Sequence, residues 1–127
     1  GEVPRMRRVA GYVFGQLARL ERSSRTRVLL VMDAPRTAIY DGRDPSTTDA
    51  FRMNEIAARA SAEAGVTLLD LTRDFERDFR EHGTRFEFPH DGHWNARAHG
   101  IAAEAVCGAL EAELGEARIR CGKYSDP

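Results

Sequence analysis

Two short apolar runs constrain most tightly what this chain can fold into: Val28-Leu29-Leu30-Val31-Met32, and further on Val66-Thr67-Leu68-Leu69-Asp70-Leu71. Neither alternates apolar and polar residues as a strand with one wet face does. Continuous β-branched and aliphatic runs of this length fit strands buried on both faces, hence parallel strands inside a sheet. The first run stops at Asp33-Ala34-Pro35, where proline has no N–H to give a ladder.

Helical spacing surrounds these runs. Over residues 4–22, Met6, Val9, Ala10, Val13, Phe14, Leu17 and Leu20 follow an i, i+3, i+4 pattern, with Pro4 in the first turn. Ser23-Ser24-Arg25-Thr26 breaks the period. Residues 36–45 read as a loop of Asp, Gly and Pro turn formers. Ser46, Thr47 or Thr48 then caps a helix to residue 64, with Ala50, Met53, Ile56, Ala57, Ala60 and Ala64 inward and Gly65 as its C-cap. A short helix or turn carries Phe75 and Phe79 and closes at Gly83, and residues 85–89 are extended. A last helix starts near Asn95, its inner face Ala98, Ile101, Ala102, Ala105, Val106, Ala109 and Leu110. Residues 117–120 are expected to add a short strand. Helix and strand alternate as in an α/β sandwich with a parallel sheet. Two strands fall short of the roughly five such a sheet usually holds. The 127 residues are therefore expected to be one domain in part only, completed by a further segment or another chain.

Composition narrows the function. Nineteen basic side chains face twenty acidic ones, a net charge of −1 that argues against a dedicated nucleic-acid binder. A local excess of Arg5, Arg7, Arg8, Arg19, Arg22, Arg25 and Arg27 over Glu2 and Glu21 reads as a solvated helix face, since no aromatic platforms interleave the arginines. No apolar run exceeds five residues, so no membrane span is expected. Arginines interrupt every apolar stretch of the first 20 residues, which therefore show no signal-peptide pattern and leave the compartment open. Cys107 and Cys121 are too few for a structural zinc site; one disulfide and two free thiols are both open.

One cluster stands apart: Phe88-Pro89-His90-Asp91-Gly92-His93-Trp94-Asn95, running straight into a helix. An aspartate two residues before a histidine can fold back on the imidazole in a tight turn, with Gly92 relaxing the backbone between them. The carboxylate then accepts from Nδ1–H, fixing the tautomer and leaving Nε2 as a general base. His90, Asp91, His93 and His99 also suit zinc or manganese, although His90 and His93 precede the helix and no helical face aligns them. Plainer roles are expected for the neighbours. His99 packs near the loop, Trp94 anchors, Asn95 caps, Asp33 pairs locally with Arg36, and Tyr40 with the Asp41-Gly42 turn is loop chemistry.

The stretch from Phe88 to Val106, FPHDGHWNARAHGIAAEAV, resembles the C-terminal block of the SGNH (GDSL-like) hydrolase superfamily, in which a late Asp and His precede a helix with an alanine-rich inner face. Val28-Leu-Leu-Val-Met-Asp-Ala-Pro-Arg and Gly65-Val-Thr-Leu-Leu-Asp-Leu look like the two preceding strands of that family. The resemblance covers residues 27–114 and is specific at 88–103. It implies the C-terminal half of a three-layer α/β/α flavodoxin-like fold with a parallel sheet. It further implies a Ser-His-Asp esterase or acyltransferase site without cofactor, acting on a small ester or acylated carbohydrate. By the match, Asp91 is the orienting carboxylate and His93 the base. The family's nucleophilic serine block and its oxyanion-hole Gly and Asn have no counterpart in these residues. Ser23 and Ser24 lie between helix and strand, Ser46 is a cap, Ser61 is mid-helix and Ser125 is in the tail. A completing N-terminal segment or a partner chain would supply what is missing, and a homo-oligomer is open as well. The alternative is a non-catalytic binding module that keeps the fold.

Overall fold

The computed structural model describes residues 2–115, 121 and 122. The strand expected at 117–120 and Ser125 lie outside the described residues. The chain is mixed α/β, with a helix α1 (Glu2–Ser24), strand β1 (Leu29–Met32), short helix α2 (Arg36–Tyr40), a 3-10 turn (Pro45–Thr47), and helix α3 (Asp49–Ala64). Strand β2 (Thr67–Asp70), helix α4 (Thr72–His82), strands β3 (Glu87–Phe88) and β4 (Asp91–Trp94), and helix α5 (Ala96–Leu114) follow.

The two apolar runs do pair in parallel, Leu30 beside Leu68 and Met32 beside Asp70. Helix α3 connects them, starting from Thr48, whose hydroxyl accepts from Phe51 N–H at 3.1 Å, and ending at Gly65 with φ 74°. That left-handed φ is costly for any residue with a Cβ. Both strands are only partly buried, and Val31 keeps 38% of its surface exposed. Two-faced burial needs a neighbour on each side, and each strand here has one described partner.

One core cluster joins Phe14 and Ala18 of α1 to Ala60 of α3 and Val66, with Val28, Leu30 and Leu68 against it. Both helical stripes are narrower or rotated relative to expectation. Val9, Val13 and Leu20 are exposed on α1, as is Met53 on α3, while Asn54 and Ser61 are buried instead. The buried polar groups are satisfied: Asn54 Nδ2 donates to Asp33 O at 2.9 Å and the Ser61 hydroxyl to Ala58 O at 2.8 Å.

A second cluster sits at the C-terminal ends of the strands, built from Ala34, Ile39, Leu71, Phe75, Phe86, Ala98 and Ala102. Phe75, Phe86 and Leu71 are wholly buried, each stabilising the fold by about 1.5–3 kcal/mol. Helix α5 begins in this cluster and ends near the start of β1, where Arg27 pairs with Glu113 at 2.7 Å. Arg97 of α5 also grips Asp78 of α4 with Nε at 2.7 Å and Nη2 at 2.9 Å. Cys107 and Cys121 form a disulfide.

Two segments differ from expectation. Residues 36–45 hold α2 and lead into the 3-10 turn, which Asp44 caps by accepting from Ser46 N–H. A five-residue helix is too short to show a period, and Ala38 and Ile39 fix it through burial. Residues 91–94, read as a tight turn, form β4 and pair antiparallel with β3 through Glu87–Trp94 and Phe88–Asp91.

Candidate active site

Asp91, Gly92 and His93 stand on the outer strand of the β3–β4 hairpin, turned at Pro89-His90. One Asp91 oxygen, Oδ1, accepts the His93 backbone N–H at 3.0 Å and also contacts His93 Nδ1. A carboxylate in that position favours the Nδ1–H tautomer. The backbone N–H and the ring of His93 together hold the Asp91 carboxyl below the usual aspartate range. His93 is the most open member, with 87% of its side chain exposed, and among the described residues nothing bonds its Nε2. The expected pair is therefore assembled, on a strand rather than in a loop.

The segment that follows anchors the hairpin. Trp94 packs edge-on against Phe75 with centroids 5.9 Å apart, and His99 of α5 meets Trp94 at 5.6 Å. Asn95 caps α5 by accepting from Ala98 N–H at 3.1 Å, and its Nδ2 donates back to Arg85 O at 2.8 Å. These match the plainer roles expected of all three residues.

Arg36 and Tyr40 do far more than the sequence indicated. Arg36 pairs with Asp33 at 3.1 Å as expected, and also with Glu87 of β3 at 3.1 Å. It donates a third bond, at 2.9 Å, to the carbonyl of Gly92, the residue between Asp91 and His93. Tyr40 donates its hydroxyl to Glu87 and accepts from Phe86 N–H at 3.0 Å. Burial first, then the hydrogen bond to Glu87, pushes the Tyr40 hydroxyl up to about 12. No sequence signal pointed to these partners, which lie 46 to 56 positions away. Beside this network a cleft of about 490 Å³ is lined by Asp33, Arg36, Tyr40, Arg43, Glu87 and Gly92. A larger depression of about 640 Å³ between α1 and α3 has no serine, cysteine or histidine in its lining.

The remaining candidates do not converge. Ser23 and Ser24 hydroxyls bond Leu20 O at the end of α1, Ser61 is buried in α3, and Ser46 sits in the 3-10 turn. Among the described residues none bonds His93. His90, Asp91, His93 and His99 do not bring three ligand atoms together among the described residues. Cys107, Glu111 and Cys121 do, but both sulfurs are committed to the disulfide. Compared with known proteins, the chain matches no family model, no curated protein and no solved structure.

Proposed function

We propose that this chain carries the acid–base part of an SGNH-type serine ester hydrolase or acyltransferase, on a three-layer flavodoxin-like fold whose sheet is completed from elsewhere. The observation that carries this reading is the Asp91–His93 pair with a Nε2 that nothing bonds among the described residues. His93 Nε2 takes the proton of a serine hydroxyl as that oxygen attacks the ester carbonyl, then returns it to the leaving alcohol. Asp91, held ionised by its bonds from His93, stabilises the imidazolium between those two transfers. The serine arrives on a further segment seated along the edge of β1 that pairs with no described strand, beside the exposed Val31. The cleft beside Gly92, which sets Arg36, Arg43 and Asp33 beside Ala34, Pro35 and Ala38, suits a small ester or an acylated carbohydrate.

A second reading is a binding module with this fold and no chemistry, favoured by the absence of a serine on His93 among the described residues. A fluorophosphonate probe with intact-mass detection separates the two. The 127-residue chain alone is expected to take no adduct. The protein as its natural source makes it is expected to take one, abolished by His93→Ala. No adduct in either sample overturns the serine reading and leaves the binding module. An adduct on the 127 residues alone places the nucleophile among Ser23, Ser24, Ser46, Ser61 and Ser125 and overturns the divided site.

A further inference from the structure

We infer that Arg36 is the positioning residue of the Asp91–His93 pair, and that Arg36, Glu87 and Tyr40 act together as a strut that sets where His93 Nε2 stands relative to the sheet. The catalytic meaning of this inference rests on the proposed reaction; its geometry is tested without it.

The bonds from His93 to Asp91 are local. They fix the two side chains relative to each other and say nothing of where the pair sits on the fold. Phe86, Trp94 and Asn95 anchor the base of the hairpin, but residues 88–93 are all exposed and β3 and β4 pair through only a short, irregular register, so little fixes its working end. Among the described residues, Arg36 is the one side chain from outside the hairpin that hydrogen-bonds residues 88–93. Its grip falls on the Gly92 carbonyl, so the anchored peptide is the link between the two working residues.

The other end of the strut is firm. Arg36 follows the C-terminal end of β1 and keeps only 19% of its side chain exposed. Its two carboxylate partners are set on different elements, Asp33 just past β1 and Glu87 on β3. Glu87 is braced in turn by the Tyr40 hydroxyl, which takes the Phe86 N–H. A planar guanidinium can hold Asp33, Glu87 and a carbonyl in one fixed fork, and a lysine ammonium cannot reproduce that geometry. The two carboxylates also offset its charge where little of it meets water, and Glu87 is shared with Arg85 at 3.4 Å.

The test compares Arg36→Gln, Arg36→Lys and Tyr40→Phe by NMR on the 127-residue chain. Arg36→Gln is expected to leave amide shifts in α1, α3 and β2 in place. It should speed hydrogen exchange at the His93 amide by about tenfold or more and lower the backbone order parameters of residues 91–93, while the Asp91 titration, set by local bonds from His93, stays in place. Arg36→Lys should not restore exchange or order. Tyr40→Phe, which removes the brace on Glu87 and the acceptor for the Phe86 N–H, should move both in the same direction by less. If Arg36→Gln fails to fold, Tyr40→Phe carries the test, and unchanged order parameters at residues 91–93 there overturn the inference. Unchanged exchange at His93 and unchanged order at residues 91–93 in folded Arg36→Gln overturn it as well. Failure of the fluorophosphonate experiment with these NMR changes present would remove the reaction and leave the strut.

Discussion

The carboxylate of Asp91 costs least when ionised, because its acceptor oxygen serves two donors of one residue. Its lowered folded-state value gives a definite sign. The contribution to stability is present above the ordinary aspartate range and is lost as pH falls through the folded-state value. Asp91→Asn should therefore flatten the acid limb of a stability-versus-pH profile, read by urea unfolding at successive pH values. Tyr40 has the opposite sign. Its hydroxyl ionises at about 12 against an ordinary 10, so the folded chain retains a proton that the unfolded chain gives up. Stability should fall as pH rises across that interval, and Tyr40→Phe should remove the fall while costing about 1–3 kcal/mol at neutral pH. Asp91 and His93 were legible in the sequence because their bond spans two positions. Arg36 and Tyr40 were not, because nothing local distinguishes a residue whose partners lie some fifty positions away.

At the scale of elements, the ends were more legible than the faces. Thr48, Gly65, Gly83 and Asn95 all stand where they were expected, since capping chemistry is confined to a few adjacent residues. The buried faces depend on which neighbours are present, and here α1 and α3 leave Val9, Val13 and Met53 uncovered. Helix α2 went unread because five residues cannot show a period, and β4 because its exposed residues do not alternate. Two substitutions measure the difference between a cap and a junction. Thr48→Ala loses bonds only to its own turn, the cap bond from Phe51 N–H and the donor to Pro45 O, and should cost about 1 kcal/mol in chemical denaturation. Asn95→Ala also strips the donor to Arg85 O and should cost about twice as much, with the larger loss confined to the hairpin and the start of α5 in hydrogen exchange.

For the molecule as a whole, a parallel pair of strands with α1 and α3 packed against Leu30 and Leu68 is what the two apolar runs called for. The number of strands in a sheet is a property of residues outside any one pair, and no pattern within Val28–Met32 or Val66–Leu71 states it. The disulfide tests how the far end is held. Cys107 and Cys121 lie 14 positions apart, and closing a loop of that size restricts the unfolded chain by about 3 kcal/mol. Reduction with a dithiol should lower the thermal midpoint by several degrees in circular dichroism, and an unchanged midpoint would show that α5 is held by its packing alone.

The adjacency of Asp91 and His93 also bears on inheritance. Residues gathered from distant elements must be conserved together or lost together. A pair borne on one hairpin can be copied, recombined or grafted as a single segment, and among the described residues the one side chain from outside that hydrogen-bonds residues 88–93 is an arginine holding one carbonyl.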